Sequence, residues 1–385
     1  MSHYKIKTID AFFSEPDSAA QILIDVRSPS EFAEDHIDGA INMPVLNDDE
    51  RAMIGTLYKN NSFEARHHGA KLISNNIANM ILPEIERMVR RHFENEPAGC
   101  GKSDHYHKPN ITFTIYCWRG GMRSSSLALV MNLIGYHCAV IDGGYRSYRQ
   151  LVHEALYDAQ SSQTNSAAVA SPIDHLKFVA LHGPSGSGKT ELIQRLGEEG
   201  LPVLELEKYA NHKGSVLGGD FADQPGQKQF ESRLWQHLRS QGLLVKPGES
   251  VQPVLVFVEG ESRRIGRLTL PDRVYAKMQS ADRIWVELPI EERARRLAFE
   301  YTDADELLIA RLYRLKGRLS NDHLQSISDL IRSGQRQRAA EILLEKHYDS
   351  FYRRSSPVSD SRYRAVLYGE TTDSLLKEIL KADIV

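Results

Sequence analysis

The 385-residue sequence predicts an α/β protein of two domains, each built on a parallel sheet. Three observations lead there. The length exceeds what one hydrophobic core usually organises, so two domains of roughly 150 to 200 residues are expected. Short apolar runs alternate with helix-length amphipathic segments, the rhythm of a parallel sheet with crossover helices. That rhythm occurs twice, on either side of DAQSSQTNSAAVASP at 158–172, where small polar residues replace the periodic apolar ones, as in a linker. The expected boundaries are a first domain over 1–157, a linker over 158–175 and a second domain over 176–385.

In the first domain the strand signals are ILIDV at 22–26, TFTIYC at 112–117 and CAVID at 138–142, runs rich in β-branched and apolar residues. Residues from about 51 to 109 hold little strand character and read as a helical insertion. HKP at 107–109 marks its exit, because the residue before proline disfavours helix. In the second domain the signals are KFVALH at 177–182, PVLEL at 202–206, PVLVFVEG at 253–260 and RIWVELP at 283–289. Beyond Pro289 the chain reads as helical and Arg-rich. Arg293, Arg295, Arg296, Arg311, Arg314 and Arg318 recur at helical spacing, which fits a solvated face and a phosphate track with Tyr301 and Tyr313 interleaved equally well.

Composition excludes several classes. With 41% hydrophobic and 26% charged residues the chain is globular, neither disordered nor collagen-like. A net charge of -3, from 48 basic and 51 acidic residues, excludes a uniformly cationic protein but leaves room for a local basic surface. Three cysteines cannot form a disulfide scaffold, and no apolar run approaches the roughly 20 residues that span a bilayer. The opening MSHYKIKTIDAFF lacks the basic, apolar, small order of a signal peptide. A reduced, cytoplasmic enzyme with no membrane partner is expected.

Cys117 ends a strand and is followed by WRGGMRSSSLALVMNLIG, a Gly-rich turn that opens a helix. Such a loop turns backbone N–H groups inward and adds the positive end of a helix dipole, so it stabilises a thiolate and any anion beside it. A lowered thiol pKa would supply a nucleophile, with Arg119 and Arg123 adding cationic charge. The alternative is a small buried hydrophobe at a strand end. Cys138 opens an apolar strand and reads as core. Cys100, in AGCGKSD, is either an ordinary loop cysteine or a resolving thiol. Asp25 and Arg27 are expected to make structural hydrogen bonds near a strand end.

GPSGSGKT at 183–190 fits G-x-x-x-x-G-K-[ST], with a strand before it and an amphipathic helix after it. The backbone amides of Gly183, Ser185, Gly186, Ser187 and Gly188, with Lys189, would hold a pyrophosphate. Thr190 would ligate Mg2+ if one is used. Glu259 stands at a Walker-B-like strand end, although aspartate is more usual there, and no N-K-x-D base-reading motif is present. A diphosphate cradle is therefore better founded than nucleotide hydrolysis. No resident metal and no tightly bound cofactor are expected. Glu207, His212, Lys213 and Ser215 follow one strand, and Glu261, Ser262 and Arg263 follow another, which places both clusters at the sheet edge where open α/β folds bind ligands.

Three blocks in order, LIDVRSPSEFAEDHIDGAINMP at 23–44, YCWRGGMRS and VIDGGYRSY at 140–148, resemble the rhodanese sulfurtransferase domain. The resemblance implies that Cys117 carries sulfur or selenium as a persulfide or perselenide. One departure matters. Many single-domain rhodaneses read C-x-x-G-x-R-S, whereas this chain reads C-x-x-G-G-x-R-S, a longer cradle suited to a larger anion. The resulting C-x5-R spacing also occurs in phosphatases of the same fold.

A rhodanese-like domain ahead of a P-loop NTPase-like domain, together with the GPSGSGKTE, ANHKGSVLG and ESRRIG blocks, resembles the bacterial tRNA 2-selenouridine synthases. That resemblance implies action on 2-thiouridine at the wobble position of tRNAs for Lys, Glu and Gln. Sulfur is first geranylated from geranyl diphosphate, and selenium from selenophosphate then displaces it. The rival expectations are a sulfur carrier fused to an ATP-dependent small-molecule kinase, and a rhodanese-fold phosphatase.

Overall fold

The computed structural model describes residues 4–14, 21–94, 111–157, 171–212, 224–246, 249, 251–300, 303–350 and 362–381. The chain divides into two compact units, Met1–His153 and Glu154–Val385. The linker segment 158–170, Cys100, Lys213, Ser215 and Tyr301 lie outside the described residues.

In the first unit the strands are β1 (Lys5–Lys7), β2 (Gln21–Asp25), β3 (Ile41–Asn42), β4 (Thr112–Tyr116) and β5 (His137–Ile141). They form one parallel sheet in the order β1-β5-β4-β2-β3. The helices are α1 (Ile9–Ser14), α2 (Pro29–Glu34), α3 (Asp48–Asn60), α4 (Ser62–Asn76), α5 (Leu82–Glu94), α6 (Met122–Ile134) and α7 (Gly144–Leu156). The neighbours β2 and β4 lead in opposite directions, to β3 at one edge and to β5 toward the other. Their carboxyl ends therefore flank the crevice where such sheets bind ligands. Both strands are buried at their centres, Ile24 and Ile115 completely, which matches their runs of β-branched residues.

Among the described residues, the helical insertion between β3 and β4 comprises α3, α4 and α5 with the turn that joins the last two. Asn47 and Glu50 form a reciprocal cap on α3, and Asn61 caps α4. A π-helical turn, Ile77–Ile81, carries α4 into α5, and Ile73, Ile77, Ile81, Ile85 and Val89 pack this arm onto the sheet core.

A buried guanidinium ties the sequence blocks together. Arg27 Nε and Nη2 donate to the Asp25 carboxylate at 2.6 to 3.1 Å, and Nη2 also donates to the Asp35 carbonyl at 2.7 Å. Its Cζ lies 3.9 Å from the Tyr145 ring centroid, and the Tyr145 hydroxyl donates to Asp35 Oδ2 at 2.7 Å. Neither Asp25 nor Arg27 reaches solvent.

In the second unit β6 (Leu176–His182), β7 (Val203–Leu204), β8 (Val254–Glu259), β11 (Asp282–Glu287) and β12 (Tyr363–Tyr368) form a parallel sheet in the order β12-β11-β6-β8-β7. A short antiparallel pair, β9 (Arg264–Ile265) and β10 (Leu268–Thr269), follows β8. The helices are α8 (Lys189–Glu198), α9 (Leu206–Ala210), α10 (Gln227–Ser240), α11 (Asp272–Gln279), α12 (Ile290–Glu300), α13 (Asp305–Leu312), α14 (Asn321–Arg332), α15 (Arg336–Leu343) and α16 (Thr372–Lys381). Helices α12 to α15 bury their own cluster, including Leu312, Leu324 and Leu344.

Three expectations change. PVLEL yields only a two-residue strand, because Leu206 already starts α9, its N–H bonded to Glu259 Oε2 at 2.7 Å. The region beyond Pro289 is not wholly helical: YRAVLY forms the half-exposed edge strand β12 beside β11. The arginines do not form one phosphate track. Arg293 is buried against Asp349, Arg296 pairs with Glu191, and Arg311 pairs with Asp303.

Replacing Arg27 with Met strands the Asp25 charge in the core. The expected cost is about 3 to 5 kcal/mol, seen as a lowered urea midpoint of the first unfolding transition. The Asp25→Leu/Arg27→Met double variant should recover part of it, and an unchanged midpoint in the single variant would contradict this account.

Candidate functional site

Each unit places one constellation at the carboxyl edge of its sheet. In the first, Cys117 follows β4 directly and Gly121 caps α6, so the sulfur sits at the N-terminus of a 13-residue helix. The Gly121 N–H points at Cys117 Sγ at 3.2 Å, and the Ser124 hydroxyl lies 3.3 Å from that sulfur and 3.0 Å from the Gly121 carbonyl, able to donate to either. The loop is held from behind by the later DGGY block: Tyr145 N donates to the Cys117 carbonyl at 2.8 Å and Arg146 N to the Trp118 carbonyl at 3.0 Å. Gly144 must lack a side chain here. Its φ is +57°, and a Cβ would stand 2.2 Å from the Cys117 carbonyl oxygen.

The two arginines behave differently. Arg119 is exposed and makes no ion pair among the described residues. Arg123 turns to Glu31, Nη1 to Oε2 at 2.8 Å. Burial alone would raise the Glu31 carboxyl, but Arg123, the Ser28 N–H and Arg51 together hold it below the usual carboxylate range. Cys138 is sealed beneath the sheet, and burial pushes its thiol up to about 12, as a core residue requires.

In the second unit the 183–190 loop joins β6 to α8. Gly183, Gly186 and Gly188 all have positive φ. Gly186 could not be larger, since a Cβ would meet the Arg293 backbone and side chain at 2.9 to 3.2 Å. Arg293 in turn donates to the Ser185 carbonyl at 3.3 Å and holds Asp349 by two bonds of 2.7 Å, so α12 braces the loop. Lys189 Nζ donates to the Gly183 and Pro184 carbonyls at 2.9 and 3.2 Å. The buried Ser187 hydroxyl has no hydrogen-bond partner among the described residues.

Glu207 gathers the groups around this loop. Thr190 Oγ1 donates to its Oε2 at 3.1 Å, its carboxyl hydrogen-bonds that of Glu261, and it sits near His212. Burial and the Glu207 charge push Glu259 up to about 8 and raise Glu261 as well. Burial lowers His212 despite the opposing charge of Glu207. Among the described residues no three His, Cys, Asp or Glu side chains are set to ligate one metal ion. Arg263 is the outlier, since it pairs with exposed Asp272 at 2.7 Å and lies over Tyr275. Sequence reasoning gave no role to Ser124 or Glu31. Ser124 follows Arg123 in the first turn of the helix opened by the cysteine loop, and that position was the available signal.

Residues 176–381 match the model of the tRNA 2-selenouridine synthase AAA domain, and residues 10–151 match the rhodanese-like domain. The chain belongs to the tRNA 2-selenouridine synthase family. A protein of that name from Nitrosomonas europaea is 32% identical over 280 residues, covering 72% of this chain and 63% of its own. One from Bdellovibrio bacteriovorus is 30% identical, covering 72% and 64%. One from Shewanella denitrificans is 28% identical over 381 residues, covering 91% and 92%. The chain thus spans just under two thirds of the first two family members and nearly all of the third. No helix among the described residues is long and apolar enough to cross a membrane.

Two measurements check this geometry. In a Cys100→Ser background, Ser124→Ala should slow iodoacetamide alkylation of Cys117 roughly fivefold, the worth of one hydrogen bond of about 1 kcal/mol. Cys138 should stay unlabelled in both proteins, and an unchanged Cys117 rate would remove Ser124 from the site. For Glu259 the folded pKa lies above the unfolded one. Its stabilising contribution is therefore complete below the usual carboxylate range and is lost as pH rises through about 8. The unfolding free energy from urea titrations should fall across that window by at most about 1.4 kcal/mol per pH unit, and Glu259→Gln should flatten the fall.

Proposed function

We propose that this protein converts 2-thiouridine to 2-selenouridine at the wobble position of tRNAs for Lys, Glu and Gln, through an S-geranyl intermediate. One observation carries the reading: a single chain holds both a thiol loop with donor groups at its sulfur and a glycine-rich loop between β6 and α8 that fits the phosphate-loop pattern. In the first step the thiocarbonyl sulfur attacks the allylic carbon of geranyl diphosphate. The departing pyrophosphate is received by the 183–190 amides and Lys189. The unsatisfied Ser187 hydroxyl supports this role, since a phosphate oxygen would give it a partner.

Alkylation turns a poor leaving group into a better one. Selenium delivered as selenophosphate to the Cys117 loop then attacks C2 of the base and expels geranylthiol, and water cleaves the remaining Se–P bond, which releases phosphate and leaves 2-selenouridine. The wide C-x5-R loop, the α6 N-terminus and exposed Arg119 supply the positive potential such an anion needs. A phosphatase reading has one observation in its favour, the Ser124 hydroxyl directed at the sulfur of that same C-x5-R loop. Cys117-dependent phosphate release that is indifferent to selenophosphate would favour it.

The test is mass analysis of wobble nucleosides from cells carrying variants. Cys117→Ser should abolish 2-selenouridine while geranylated 2-thiouridine persists, and Lys189→Ala should abolish the geranylated product. Unchanged nucleosides in both variants would overturn the reading.

A further inference from the structure

A cavity of about 450 Å³ opens beside Cys117, between the cysteine loop and the paired helices α3 and α4. Cys117 and Trp118 form one wall, and Ile54, Ala65, Gly69 and Ile73 line the helical side. The size falls within the range of small-molecule sites, and the helical side of the lining is apolar except for Arg51 on α3 and Arg66 on α4. Met122 and Tyr58, both lining residues, are 62% and 55% exposed, apolar surface that an occupant would cover. Arg51, Arg66, Arg119 and Arg123 also line it, and neither Arg66 nor Arg119 makes an ion pair among the described residues.

An apolar floor with guanidiniums around it and a reactive sulfur in its wall matches an occupant with three parts. It needs a hydrocarbon tail, a reacting centre and a polyanionic strand. We infer that this cavity binds the hydrocarbon chain of an S-prenylated nucleobase, while the arginines meet the phosphates of the RNA strand that carries it. The inference rests on the geranylated intermediate proposed above and assigns that intermediate's tail to the first unit. Helix α4 keeps the space open through Gly69. A Cβ there would only touch Ile54 at 3.7 Å, so a larger side chain can be accepted by growing into the cavity.

The test is calorimetric titration of the full-length protein with 2-thiouridine nucleosides bearing methyl, dimethylallyl or geranyl on sulfur. Affinity should rise stepwise, by at least about 100-fold from methyl to geranyl, the worth of burying only three to four of the added carbons at about fourfold each. Gly69→Leu should weaken geranyl binding at least tenfold and leave the methyl compound unchanged. Ala70→Leu, at an exposed lining position, serves as the second variant if Gly69→Leu does not fold. A flat series, or geranyl affinity unchanged in a folded cavity variant, would overturn the inference. Failure of the parent reading looks different: the geranyl nucleoside would bind in the cavity, while Lys189→Ala would leave the wobble nucleosides of cells unaltered.

Discussion

The first unit depends on one desolvated cation. Arg27 could not sit in the core without Asp25, the Asp35 carbonyl and the Tyr145 ring around it, because an unpaired charge there would cost several kcal/mol. The pairing has a geometric result beyond its energy. It fixes the end of β2 against the segment after β5, and that segment holds the carbonyls of Cys117 and Trp118. The thiol loop therefore owes its shape to residues that never touch the sulfur.

The second unit solves a similar problem with an external brace. A glycine-rich loop is conformationally free, yet a cradle for an anion must hold its amides in one arrangement. Arg293, anchored by Asp349, packs against Gly186 and bonds to the Ser185 carbonyl. Arg296 bonds to Thr372 and pairs with Glu191 in the first turn of α8. Two arginines of a run whose helical spacing fitted a solvated face and a phosphate track equally well thus brace this loop, as buried or half-buried arginines beside acidic partners commonly do.

The central strands and both loops were legible because each rests on local pattern: a β-branched run, then glycines, then an amphipathic helix. Strands β1 and β3 were not, since two or three residues carry no periodicity; β7 was read too long in PVLEL, and β12 was hidden by arginine and tyrosine at an exposed edge. Within the sites, Glu207, grouped around the phosphate loop for its position after a strand signal, lies on α9 and accepts from Thr190. Arg263 was grouped with the cradle on the same logic, but a nearby aspartate at the start of α11 holds it. The role of Arg123 as the partner of Glu31, 92 residues away, lies beyond any local signal. The apolar cavity was equally invisible, for its walls come from α3, α4 and a loop some 50 residues later.

The support that Gly144, Tyr145 and Arg146 give to the cysteine loop bears on how the protein is made. A nascent chain that has emerged only as far as residue 130 already contains the entire C-x5-R segment, but not the amides that fasten its carbonyls nor the ring that shields Arg27. Because these contacts span distant parts of the sequence, they close late. The cysteine loop is thus shaped only once its unit is nearly complete.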